Sequence, residues 1–302
     1  FLLATIKYND VRLVGAPPSS IGKFGADTDN WVFPRHTGDF SLFRVYDENG
    51  SAFTPDQHLK VNIAPRTPGE FTMVFGYPGR TQEYLTAVEM DQLVNVENAR
   101  RVEIRDVLLS IMDAEMRADA AVQLMYASKY ARIANGWKKW IGQIEGVQFS
   151  KGIDRKRKLE AEFTARIAAD ANLWDKYSGL LNEIAVNKTQ IAEGQLKRNE
   201  FIETIYYGME WFSLMSKLQR AKSEVDVDAA LVEFHQNYSR TVSEKTTAAM
   251  LSMALETFPD LLGEMDEATF VSTVHNEIDA LVELATKDEP IDLAMVAPTA
   301  SM

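Results

Sequence analysis

A chain of 302 residues, 46% hydrophobic and 25% charged, carries enough apolar side chain for one large domain or two ordinary ones. It contains no cysteine, which excludes disulfides, thiolate nucleophiles and cysteine metal sites. Its net charge of -12 is concentrated in residues 220–302, which hold 5 basic and 16 acidic side chains; such a tail repels phosphate backbones, so no nucleic-acid partner is expected.

The first residues, Phe1-Leu2-Leu3-Ala4-Thr5-Ile6, read as the middle of a strand and not as a signal peptide, lacking a basic leader and a cleavage site. The expectation is an internal piece of a longer protein. No apolar run approaches the roughly 18 residues of a membrane span.

Residues 1–85 are rich in proline and glycine, with short apolar runs at Val11 to Val14, Phe40 to Tyr46, Val61 to Ala64 and Phe71 to Phe75. Turn chemistry such as Glu48-Asn49-Gly50 and Thr67-Pro68-Gly69-Glu70 separates them, predicting a β region of barrel or sandwich type. Between the first two runs lies Asn30-Trp31-Val32-Phe33-Pro34-Arg35-His36-Thr37-Gly38-Asp39-Phe40-Ser41, too polar and too turn-prone for a core element. Pro34 biases Phe33 toward extended geometry, and Gly38 permits a sharp turn before Asp39. In the strand that follows, Phe40, Leu42, Arg44 and Tyr46 alternate with Ser41, Phe43 and Val45. A carboxylate at such a loop-to-strand junction suits a residue that orients a histidine, and equally a plain turn or capping carboxylate.

From residue 86 onward proline is absent until Pro259 and helix formers dominate, so residues 86–302 are predicted to be an α-helical domain. One amphipathic pattern begins with Leu93, Val96, Val102, Val107, Leu108, Ile111 and Met112; another runs through Leu159, Phe163, Ile167, Leu173 and Trp174. Further helices are expected over Tyr177 to Ile191, Leu196 to Ser223, Val227 to Phe258 and Glu267 to Lys287. Trp137, Trp140, Trp174 and Trp211 are read as helix-packing residues, and the basic run from Lys151 to Lys158 as a solvated helix start.

Three short patterns are set aside. Asp27-Thr28-Asp29-Asn30 opens like a calcium loop but lacks the mid-loop glycine and the closing glutamate. Ser20-Ile21-Gly22-Lys23 fits Ser-x-x-Lys without its companion motifs. Gly76-Tyr77-Pro78-Gly79 lacks the Lys-Ser/Thr of a phosphate loop. No cofactor and no metal is assigned.

Gly25-Ala26-Asp27-Thr28-Asp29-Asn30-Trp31 together with Pro34-Arg35-His36-Thr37-Gly38-Asp39-Phe40-Ser41 resembles the signature of the bacterial dipeptidyl-peptidase 7 and 11 family of serine peptidases. The lead-in from Ala16 to Gly25 and the turn Phe75-Gly76-Tyr77-Pro78-Gly79-Arg80-Thr81 are similar to that family as well. The resemblance implies an α+β architecture, part of a chymotrypsin-like double β-barrel (residues 1–85) followed by a large helical domain (86–302) that covers the active-site cleft. It implies release of dipeptides from the free N-terminus of peptides, a periplasmic or secreted location, and a homodimer. Asp39 would be the triad carboxylate, with the matching His before Phe1 and the matching Ser beyond Met302. Asn30 and Trp31 would bind the substrate's ammonium group, helped by Asn135 in Ala134-Asn135-Gly136-Trp137. Without the resemblance, Asn135 reads as a polar residue interrupting a helix beside Gly136.

His36 is read as structural, since residues so close on an extended chain pair badly with Asp39. Arg35 is read as the partner of a local carboxylate, and His58, His235 and His275 as surface or packed histidines. The competing reading is a non-catalytic helical binding or scaffold protein with a small β appendage.

Overall fold

The computed structural model describes residues 5–25, 30–32, 34–73 and 82–285. The chain divides into two compact units, residues 1–83 and 84–302.

In the first unit, strands β1 (Asp10–Gly15) and β2 (Leu42–Tyr46) pair antiparallel, with Val11 opposite Val45 and Leu13 opposite Phe43. The register slips between Leu13 and Gly15, leaving Val14 as a bulge. Arg12 faces Arg44 across the sheet, a repulsive arrangement, but its guanidinium is drawn aside by a two-pronged bond to Asp10 (2.7 and 2.9 Å) and lies over the Tyr46 ring at 4.1 Å. Beyond β2, the Asp47 carboxylate accepts from the amides of Asn49 and Ser51, and Gly50 takes the left-handed backbone (φ 76°) that closes the turn.

The long connection from β1 to β2 carries a single helical turn, α1 (Ser19–Gly22). The expected strand at Val61 to Ala64 does not form, nor is there one at Phe71 to Met73, whose remaining residues lie outside those described. Both runs are apolar but highly exposed, and a strand without a pairing edge has no partner for its backbone groups.

The described residues of the second unit form helices joined by short turns. Helix α2 (Ala87–Asp91) starts on a capping box: Thr86 accepts from the Glu89 amide and the Glu89 carboxylate accepts from the Thr86 amide. A π-helical segment, Gln92–Glu97, then runs without a break into α3 (Asn98–Ala118). Asp119 leaves the helix in extended geometry and caps α4 (Ala120–Phe149) through its bond from the Ala121 amide (2.7 Å). One non-helical residue thus folds α4 back along α3. Lys151, in the left-handed region (φ 49°), turns the chain into α5 (Gly152–Ala168), and Asp170 caps α6 (Ala171–Tyr177).

Helix α7 (Leu180–Glu200) passes into a second π-helical segment, Phe201–Tyr206. There follow α8 (Glu210–Arg220), α9 (Glu224–Gln236), α10 (Arg240–Thr257) and α11 (Glu267–Ala285). The helix expected over Leu196 to Ser223 is therefore broken at Tyr207–Met209, and that over Val227 to Phe258 at Asn237–Ser239.

The core gathers Ile104, Leu108 and Met112 of α3, Tyr126 and Ile133 of α4, Leu214 and Leu218 of α8, Leu231 of α9, Met250 and Leu251 of α10, and Ile278 of α11. The pattern expected to bury through α5 and α6 does so only at Ile167; Leu159 and Trp174 stay exposed. Among the described residues no helix is long and apolar enough to cross a membrane.

Candidate active site

The connection between β1 and β2 is held against α1. The Gly38 amide donates to the Ile21 carbonyl (3.1 Å), and the Thr37 hydroxyl donates to the Phe24 carbonyl (3.3 Å). A Cβ at Gly38 would stand 3.3 Å from Ile21 Cγ2, a tight contact that the exposed Ile21 side chain would have to relieve by shifting. The closure sets Asp39 beside Gly22, where a methyl group would already sit 3.7 Å from Asp39 Oδ1.

Arg35 clamps the rest of the loop. Its Nε donates to Thr37 Oγ1 (2.9 Å) and its Nη1 to Asn30 Oδ1 (3.1 Å), so it ties the motif to itself; among the described residues it pairs with no carboxylate, and Asp27 and Asp29 lie outside them. Trp31 is half-exposed and occupies the left-handed region at φ 62°, a conformation a bulky side chain adopts only when its surroundings impose it. Asp39 is exposed, and among the described residues its carboxylate accepts no hydrogen bond. His36 is exposed and does not bond to Asp39. Asp27–Asp29, Phe33 and the turn from Phe75 to Thr81 lie outside the described residues.

One connection thus carries Asn30, Trp31 and Asp39, while Asn135 stands on the exposed side of α4 in the other unit. The rotation of that part of α4 is fixed by Arg105, whose Nη1 donates to the Ile133 carbonyl (2.7 Å) and whose Nε donates to Glu203 in the second π segment (2.6 Å). The guanidinium lies 4.4 Å from the Trp140 ring centre. Gly136 makes room for it, since any Cβ at that position would run into the guanidinium. Trp137 donates its indole N–H to Asp106 (2.8 Å), bonding α4 to α3 a second time. Gly136 was the sequence signal for this strap.

Polar interior continues along α3. Arg100 grips buried Glu200 with two bonds (2.6 and 3.1 Å), which hold its guanidinium more firmly charged than usual. Arg101 bonds Asn199 (2.6 Å) and Asn98 (3.2 Å), and Lys188 bonds Glu97 (2.9 Å). Burial weakens the hold of Arg101 on its proton, with Glu97 acting in the opposite sense. Glu97 and Glu203 belong to the two π segments and Glu200 immediately precedes the second, so the widened turns meet the arginines of α3.

His275 has the look of a catalytic pair but not its access. Its Nε2 stands 3.0 Å from Ser243 Oγ and its Nδ1 2.7 Å from the Val271 carbonyl, yet both side chains are fully buried. The ring joins α10 to α11, a packed histidine as expected. Trp211 is in the core and Trp140 packs under Arg105, whereas Trp174 is exposed.

The peptidase S46 family model matches residues 1–294. The chain belongs to that family. It is 38% identical over 275 residues to an Asp/Glu-specific dipeptidyl-peptidase of Flavobacterium psychrophilum, a match that covers 83% of this chain and 38% of that protein. It is 35% identical over 261 residues to dipeptidyl-peptidase 7 of Porphyromonas endodontalis, covering 82% of this chain and 32% of the relative. The crystal structure of Porphyromonas endodontalis DPP11 in complex with the dipeptide Arg-Glu superposes with a TM-score of 0.63 at 26% identity, over 97% of this chain and 51% of that one. The chain therefore spans well under two thirds of the length of these S46 relatives. Helices following a small β region are common to the S46 match and to the structure described above.

Proposed function

We propose that this chain forms part of a serine dipeptidyl-peptidase that releases dipeptides from the free N-terminus of peptides. The family match across residues 1–294 carries the reading, together with relatives that are themselves named dipeptidyl-peptidases. In this reading the β unit belongs to a chymotrypsin-like double barrel. Its support is the exposure of apolar side chains on β1 and β2, among them Val11, Leu13, Leu42 and Phe43, since a two-stranded ribbon with apolar residues in succession is stable only when further strands or helices cover it.

Asp39 accepts the Nδ1–H of a histidine supplied by another segment and stabilises the imidazolium formed when that histidine takes the proton of the nucleophilic serine. The exposed and unengaged Asp39 carboxylate supports this role. The Asn30 side-chain amide oxygen accepts from the substrate's ammonium, Trp31 walls the site, and Asn135 contributes from a helical domain that covers the cleft. Recognition of the ammonium fixes the scissile bond two residues in. The serine attacks the scissile carbonyl, the imidazolium gives its proton to the leaving amine as the C–N bond breaks, and water, deprotonated by the same histidine, hydrolyses the resulting acyl-enzyme to release the dipeptide. The protein acts in the periplasm or outside the cell, as a homodimer.

The test is steady-state hydrolysis, by the full-length protein, of a dipeptidyl reporter with a free amine and of its N-acetylated twin. The free amine should be cleaved and the acetylated form should not. Asp39→Asn should lower kcat about 10⁴-fold with folding intact, because an amide holds the wrong imidazole tautomer. Equal cleavage of both reporters would remove the exopeptidase reading, and near-normal turnover by Asp39→Asn would remove Asp39 from the triad.

A further inference from the structure

The helical unit contains a cavity of about 560 Å³, in the size range of small-molecule sites, between α3, α4, α8, α9 and the end of the second π segment. Its apolar floor includes Leu108, Met112 and Leu214, and one wall is the edge-to-face pair Tyr206–Tyr207, with ring centres 5.2 Å apart. Gly208 shapes that wall. A side chain there would come within 2.6 Å of Met250 Cγ and collide with the Thr204 carbonyl, so the chain can turn tightly enough to present both tyrosines and then Glu210.

Five charged residues line the cavity: Lys129, Arg132, Glu210, Lys217 and Glu233. Four of them neutralise one another. Glu210 accepts from the Tyr126 hydroxyl and from Lys129, both at 2.5 Å, and Lys129 also donates to the Asn237 carbonyl. Burial first, and then the Glu210 carboxylate, push the Tyr126 hydroxyl up, so it stays a donor. Lys217 bonds Glu233 at 2.7 Å. Arg132, on the α4 face that also presents Ser128 and Lys129, has no ion-pair or hydrogen-bond partner among the described residues.

We propose that the cavity binds a compact carboxylate with an apolar body, its carboxylate forked by Arg132 and its body lying against Tyr206, Tyr207 and the apolar floor. The guanidinium fork matches a carboxylate in two parallel bonds, and the acids of the site, being already paired, do not oppose an anion. A cationic ligand would have to displace Lys129 or Lys217 to find a partner. The proposal does not rest on the ammonium reader, since its ligand needs no free amine, although Asn135 stands within one turn of Arg132 on α4.

The experiment is calorimetric titration of the intact protein with 3-phenylpropionate, 3-phenylpropanamide and 3-phenylpropylamine, which share a ring and differ in charge. The carboxylate should bind at least tenfold more tightly than the other two. Arg132→Ala, at an exposed position, should abolish that preference, and Arg132→Lys should keep part of it. Ser213→Trp, projecting into the cavity from α8, should remove binding of all three. The proposal is overturned if the amide binds as well as the carboxylate, or if Arg132→Ala binds the carboxylate as tightly as the unaltered protein. None of these readouts depends on peptidase activity.

Discussion

Gly136 sets two effects against each other. In an exposed helix interior, Gly→Ala gains about 1 kcal/mol from backbone entropy alone. At Gly136 the added methyl meets Arg105, and although a guanidinium is the far end of a long side chain, this one is buried and tied to the Ile133 carbonyl, Glu203 and the Trp140 face. Displacing it separates a buried ion pair, a loss of about 3–5 kcal/mol when one partner goes unpaired. Gly136→Ala should therefore destabilise the protein by about 2 kcal/mol or more in urea unfolding. Gly146→Ala and Gly194→Ala, where a Cβ meets nothing within 4 Å, should stabilise it by about 0.5–1 kcal/mol. A stabilised Gly136→Ala would mean that Arg105 is free to move. At the proposed site, Asn30→Ala should cost roughly 2–3 kcal/mol of transition-state binding for a free-amine substrate, read as kcat/KM, if a charge-assisted bond is lost. An unchanged kcat/KM would leave Asn30 as a purely structural anchor for Arg35.

At the scale of elements, helix ends carry most of the local specification, and α11 shows it. Asp266 precedes its first residue and accepts from the Thr269 hydroxyl (2.6 Å) and the Thr269 amide (2.9 Å); these bonds, the hydroxyl foremost, hold its carboxyl below the ordinary value. A depressed carboxylate stabilises the folded state fully above its unfolded pKa, and the contribution disappears as pH falls through the folded one. Protection of the Thr269 and Phe270 amides should thus hold steady near neutrality and fall on acidification below the unfolded value near 3.8. Asp266→Asn, which caps without titrating, should show no such fall. Equal acid sensitivity in both proteins would place the effect elsewhere. The break at Tyr207–Met209 makes a second case: Gly208→Ala should cost about 1–3 kcal/mol through overpacking against Met250 and the Thr204 carbonyl, seen as a lower Tm.

Across the whole molecule, burial is unequal. Among the described residues the buried apolar side chains begin at Ala87, whereas the β unit exposes Leu13, Phe40, Phe43, Val61, Ile63 and Phe71. A sheet of two strands with its apolar residues in water gains little from folding, while the helices bury a continuous core. Residues 1–302 expressed as such should therefore yield, on limited proteolysis, a resistant core beginning near Tyr84. Backbone amides of α3, α4, α8 and α10 should be strongly protected from exchange and those of β2 weakly. Comparable protection of β2 and α3 would show that the β unit is stable by itself.

By itself the sequence determined the change of regime near residue 85, the start of α11 at Glu267 and the motif loop, because these rest on local chemistry: proline and glycine, and the 3.6-residue period. It also determined the family, because the motif from Gly25 to Ser41 is contiguous. Tertiary structure decided what local chemistry leaves open. The apolar stripe of α5 is covered only in part, with Ile167 buried and Leu159 exposed, and the run at Val61 to Ala64 pairs with no strand among the described residues, so periodicity overstated both. Helix continuity across Tyr207–Met209 and Asn237–Ser239 follows from the apolar spacing on either side and is lost where Gly208, Asn237 and Ser239 form helix weakly and, at Gly208, the backbone packs against Met250. The role of Arg35 turned on Thr37 and Asn30 folding back beside it. The strap from Arg105 to the Ile133 carbonyl and Glu203 joins residues 28 and 98 positions apart, and only a folded chain sets those groups side by side.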